Sequence, residues 1–234
     1  MRIRHRDVRR HLAAEPLTAR LPLALLSAAA ILVGCGAGPQ QPPAPAPTAR
    51  TLSPANVVRV RAALPPGYET GELKAPVSAA ALWGFGTGWR ADPPQCAALA
   101  DPAPNDRAAR GLSASGPGGT VFVVVADMPG TDPVPELLDQ CPSWTMTFGH
   151  TTAEVTRSQG PAVADARTFA WRAVASTVVE SGNSTTSEAS TAVACLQGHV
   201  VLVTVVTDPG SPNPPLDPGF AADLLATTVT ALRG

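Results

Sequence analysis

Apolar and polar residues change their spacing several times along this chain, and each change marks an element. From residue 109 to 207 the dominant spacing is two. Residues 109–115 and 120–126 (TVFVVVA) flank Gly116-Pro117-Gly118-Gly119, which predicts a β-hairpin. A short helix is expected over 133–140, capped by Thr131 or Asp132. Residues 143–155 put Trp144, Met146 and Phe148 on one side and Thr145 and Thr147 on the other, the mark of a half-buried strand. Residues 168–180 place Phe169, Trp171, Ala173 and Ala175 on one face, and Ser181-Gly182-Asn183 makes a turn. Residues 186–197 return, Gly198 turns again, and 199–207 (HVVLVTVVT) is apolar enough for a central strand. After Asp217-Pro218 the spacing becomes helical, with Phe220, Leu224, Leu225, Val229 and Leu232 in one stripe.

Upstream the pattern is weaker. Ser53-Pro54 reads as an N-cap followed by proline in the first helical turn. Val57, Val58, Val60 and Leu64 fit a short helix or a strand, and Pro65-Pro66-Gly67 ends either. Residues 70–106 read mostly as loop, with Trp83 and Trp89 framing a glycine-rich stretch (WGFGTGW). Short turns between strands require antiparallel pairing. The expected fold is therefore α+β: a single twisted antiparallel β-sheet with helices packed on one face.

The first 34 residues differ in kind. An Arg-rich start leads into 21–33 (LPLALLSAAAILV), 13 residues without a charge. That length suits the apolar region of a signal peptide and is short for a membrane-spanning helix. Leu32-Val33-Gly34-Cys35 follows at once and resembles the lipobox of bacterial lipoproteins. The resemblance implies cleavage after Gly34, lipid on Cys35, and stable attachment through several acyl chains. Arg9-Arg10 adds a weak likeness to a twin-arginine export signal. The stretch 36–54 (GAGPQQPPAPAPTARTLSP) favours extended polyproline II and cannot build a core. The expected organisation is a signal peptide over 1–34, a Pro-rich tether over 35–54 and a folded domain over 55–234. The membrane, reached through the N-terminal lipid, is then the first partner, and the place is the outer face of the cell membrane.

Charge supports that division. Residues 1–34 hold six Arg and two acids, a net +4, which leaves 11 basic and 16 acidic residues beyond them, a net −5. A mildly acidic domain carries no basic footprint for nucleic acid.

The cysteine contexts carry a second resemblance. Pro93-Pro94-Gln95-Cys96-Ala97-Ala98-Leu99 precedes the predicted hairpin, Cys141 closes a helix after it, and Cys195 lies in a strand. With Pro65-Pro66-Gly67-Tyr68-Glu69 and Trp83-Gly84, this order resembles the extracellular sensor domain of PknH-type mycobacterial kinases and a set of mycobacterial lipoproteins, over about residues 60–233. The resemblance implies an antiparallel sheet with helices, disulfide bonds, and a cleft for a ligand. It also implies four cysteines in two disulfides, whereas this chain offers three after Cys35. Three pairings exist. Cys96–Cys141 is favoured, because both sit in loop or helix-end settings that can meet, and Cys195 is then a buried strand thiol.

Catalytic patterns are missing. Gly111-Leu112-Ser113-Ala114-Ser115-Gly116 lacks the G-x-S-x-G of a nucleophile elbow and lies in a hairpin. No phosphate-binding loop, dinucleotide fingerprint or cofactor motif occurs, and no close Cys or His pair has metal-ligand spacing. His150 and His199 are the domain's two histidines, and the carboxylates Asp101, Asp106, Glu136 and Asp139 suit solvated loops and helix caps. Trp83, Trp89 and Trp171 are the candidate pocket residues. The reading is a non-catalytic ligand-binding or sensor-like envelope module, for a small ligand or an envelope component. Its rivals are a protein-interaction scaffold and, behind it, an envelope hydrolase.

Overall fold

The computed structural model describes residues 51–73, 77–103, 108–128 and 135–234. The expected signal peptide, Cys35 and most of the expected tether lie outside the described residues, as do Asp106, the expected caps Thr131 and Asp132, and the expected start of the following helix. Among the described residues no helix is long and apolar enough to cross a membrane.

Nine strands form one sheet. In chain order the elements are a 3-10 helix Pro54–Ala63, β1 Glu69–Leu73, α1 Ala79–Leu82, β2 Arg90–Asp92, a 3-10 turn Pro94–Cys96, α2 Ala97–Ala100, β3 Arg110–Gly116 and β4 Gly119–Asp127. Then come α3 Pro135–Gln140, β5 Ser143–Phe148, β6 Thr151–Ser158, β7 Arg167–Val178, β8 Ser184–Leu196, β9 His199–Val206 and α4 Phe220–Arg233. The spatial order is β1-β3-β4-β9-β8-β7-β6-β5-β2. Every neighbouring pair is antiparallel. The single antiparallel α+β sheet is as the sequence predicts.

Three local expectations need correcting. Residues 143–155 are two strands, β5 and β6, separated by a turn at Gly149-His150. The presumed loop 70–106 supplies both edge strands, β1 and β2. Helical segments cover both faces of the sheet, not one. The alternation along β8 shows why: Ala189, Val193 and Cys195 enter one core, and Ala192, Ala194 and Leu196 enter the other.

On one face α4 and the 3-10 helix pack over β3, β4, β8 and β9. Leu224, Leu225, Val229 and Leu232 are buried there beside Val57 and Val60. Val57 and Val60 stand three apart, and in a 3-10 helix that spacing stacks them on one side. The Ser53 N–H donates to the Leu232 carbonyl at 2.9 Å, so the chain enters the domain against the last turn of α4. On the other face α1, α2 and α3 pack against a core drawn from β4 to β9. Trp83, Trp144, Phe169 and Trp171 make the centre of this second core.

The hairpin turn between β3 and β4 depends on backbone that only glycine accepts. Gly119 has φ +134°, and a Cβ there would stand 2.2 Å from the Val206 carbonyl oxygen on β9. Gly119→Ala therefore adds backbone strain to a forced opening of the β4–β9 pairing. It is expected to cost roughly 2–4 kcal/mol. Gly182→Ala has φ +80° but open space around its Cβ, so it costs only the left-handed conformation, about 1 kcal/mol. Urea denaturation of both variants checks the difference, and equal losses would contradict the close approach.

Candidate functional site

The face carrying the aromatic core also carries a hollow. α1 starts after Ser78 and ends at Trp83. The glycine-rich connection then runs to β2, and the chain turns through Pro94–Cys96 into α2. These segments enclose a cavity of about 440 Å³. Phe85, Trp89, Ala97 and Ala98 make its mostly apolar walls, and Asp101 lies at its lining beside Ser78.

Each wall is held by an identifiable contact. The Trp83 indole N–H donates to Thr191 Oγ1 at 3.0 Å, and Thr191 is 2.9 Å from Thr204 Oγ1. This buried hydroxyl pair sits on β8 and β9 and fastens the end of α1 to the sheet. Gly86 lies under the Phe148 ring of β5, where a Cβ would fall 2.4 Å from Cζ. The α2 side is tied by the disulfide Cys96–Cys141, with Cα atoms 5.8 Å apart. This is the pairing favoured from the sequence. Cys195 is a buried thiol on β8, outside the disulfide.

Asp101 links the two sides. Its Oδ2 accepts from Ser78 Oγ at 2.7 Å, and its Oδ1 accepts from the Ala79 N–H at 3.1 Å. It thus caps α1 from the end of α2. Burial pushes its carboxyl above the usual carboxylate range, and the two hydrogen bonds pull the other way.

The three candidate pocket tryptophans separate. Trp89 lines the cavity, but Trp83 and Trp171 do not. Both are core residues, at 5% and 1% exposure. Trp171 meets Trp83 and Trp144 edge-on, with centroids 5.9 and 6.0 Å apart, and lies 5.2 Å from Phe169. Sequence reasoning missed Ser78, Ala81, Phe85, Ala97 and Ala98 as cavity residues. Asp101 was visible only as a loop or capping carboxylate.

Neither His150 nor His199 lines the cavity. His199 does meet a carboxylate, with Nε2 3.3 Å from Asp127. Its Nδ1 lies 2.9 Å from the Gln197 carbonyl. Among the described residues no group of three His, Cys, Asp or Glu side chains stands together as a metal site.

One solved structure shares this fold. A solved structure of an uncharacterised Mycobacterium smegmatis protein, an Rv0999 ortholog, superposes with a TM-score of 0.57 at 22% identity, covering 78% of this chain and 98% of the other. The extracellular domain of PknH from Mycobacterium tuberculosis gives a TM-score of 0.42 at 14% identity, covering 77% and 91%. No curated protein matches. The family model described as "Domain of unknown function (DUF5642)" matches residues 53–233, and the chain belongs to that family.

Proposed function

We propose that this protein is an exported, lipid-anchored module of the cell envelope that binds a small ligand and does no chemistry on it. The observation that carries the binding half is the cavity beside α2, with its aromatic and alanine walls and a single half-buried carboxylate. Concave, mostly apolar sites with few polar groups are the usual form of small-molecule sites. The anchoring half rests on the basic leader, the uncharged run and the lipobox-like Leu32-Val33-Gly34-Cys35. The Pro-rich segment after it would hold the domain away from the bilayer.

Full-length protein purified in mild detergent from a native host is expected to carry a small molecule detectable by native mass spectrometry. Ala98→Trp fills the cavity from an exposed lining position. It should release that molecule while leaving the thermal melt unchanged. The same molecule at the same occupancy in the variant, or none in either protein, would count against the cavity as the site.

A second reading has one observation of its own. Phe148, Val178 and Val179 are 37–49% exposed. The Val178 N–H donates to the His150 carbonyl at 3.1 Å, so the β5–β6 turn and the β7–β8 end lie together. That apolar tip suits a protein-interaction role without a small ligand.

A further inference from the structure

The cavity's walls specify a class of ligand, an inference that rests on the binding reading above. We propose that the site selects an organic cation: an apolar body carrying an ammonium group, held against Asp101 with the body along Phe85 and Trp89. Three features of the lining point the same way.

First, the charge is one-sided. Among the described lining residues there is one carboxylate and no Lys, Arg or His. A ligand anion would meet like charge in a partly desolvated hollow, which is unfavourable. Second, Asp101 has capacity left. A carboxylate offers about four lone-pair positions, and Ser78 Oγ and the Ala79 N–H use two of them. The same two donors fix its orientation, so the acceptor for an incoming N–H is preset. Third, the apolar wall carries two aromatic rings, Phe85 and Trp89, beside its alanines. Indole is the best face for a cation, and Trp89 shares the cavity with Asp101. An ammonium beside Asp101 would also relieve the burial that disfavours its ionised form. A neutral ligand of the same shape gains the walls and at most an uncharged donor's hydrogen bond to Asp101.

The test compares three probes with one tail: octylammonium, 1-octanol and octanoate, titrated calorimetrically into the full-length protein at pH 8. Octylammonium is expected to bind at least tenfold more tightly than octanol, and octanoate more weakly than either. Asp101→Asn keeps the side chain's shape and acceptor oxygen, and it should bring octylammonium down to the octanol level. Near-UV circular dichroism reports whether that variant keeps its aromatic core. Lowering the pH of the unaltered protein gives an independent arm. Octylammonium stays charged, Asp101 takes up a proton as pH falls through its raised pKa, and the preference over octanol should fade. Equal binding of octylammonium and octanol at pH 8 would overturn the charge preference and leave the cavity standing as a binding site. Failure of all three probes to bind would overturn both.

Discussion

Trp171→Ala is expected to destabilise the domain by about 3–5 kcal/mol, the range for emptying a large buried aromatic site. Trp171 is 1% exposed and touches three other rings, Trp83, Trp144 and Phe169. Its neighbours are themselves held. Trp83 is hydrogen-bonded to Thr191, and Trp144 and Phe169 sit on paired strands. The vacancy therefore cannot close by collapse. Trp171→Phe should lose much less. It keeps a ring in place, and it removes an indole N–H that is buried without a hydrogen-bond partner among the described residues, a group that costs about 1–3 kcal/mol to leave unmet. Trp89→Ala, at the cavity, should lose less than Trp171→Ala. Guanidinium denaturation measures all three. A Trp171→Ala loss under about 1 kcal/mol, the size of an ordinary substitution, would contradict the aromatic centre described for this face.

Removing the disulfide is the second large effect. Cys96 and Cys141 are separated by 45 residues, and closing a loop of that length is worth about 4 kcal/mol in the chain-entropy model. Alanine is the right replacement for both, because a serine hydroxyl at these fully buried positions would need a partner. The loss should be uneven across the fold. α2 is only four residues long and cannot persist as an isolated helix. Leu99 and Ala100 hold it to the core, and Cys96 holds its start. In the Cys96→Ala/Cys141→Ala protein, amide exchange should rise first over residues 94–101, while β8 and β9 stay protected in proportion to global stability. The cavity would loosen with α2, so ligand affinity should fall further than the melt alone implies. Uniform exchange across the sheet and α2 would contradict the disulfide's role as the support of that wall.

The parts of this fold that the sequence announces are those whose side chains divide between two environments. α4 shows one stripe, and β9 shows an apolar run too continuous for one buried face. That run was also a sign that both faces are covered. HVVLVTVV puts Val200 and Leu202 into one core and Val201, Val203 and Val205 into the other. The break between β5 and β6 was legible too. Buried positions are even-numbered at Trp144 and Met146 and odd-numbered at Ala153 and Val155. A strand cannot change phase without a turn or bulge, and Gly149 stands at the change.

The edges and the site were hidden for a different reason. β1 (ETGEL) is exposed at four of its five positions and β2 is three residues long, so both are defined by backbone pairing that leaves no hydropathy pattern. The cavity draws its residues from α1, a glycine-rich connection and α2. These are short segments brought together by a disulfide and by Asp101, contacts with no periodic signal. Tryptophan identity was a poor guide within this set. Trp83 and Trp89 are six residues apart in one glycine-rich stretch, yet one is pinned to buried threonines and the other faces the hollow.

The proposed location of this domain turns on Cys35, and one measurement addresses it. Membrane fractions of a native host expressing the full-length protein can be extracted in detergent and the intact mass and N-terminal peptide determined. The proposed lipid anchor predicts a chain that begins at Cys35, carries a thioether-linked diacylglyceryl group, and partitions into the detergent phase, with Cys35→Ala abolishing both modification and partitioning. An unmodified chain that still contains residues 1–34 and partitions into the aqueous phase would contradict it.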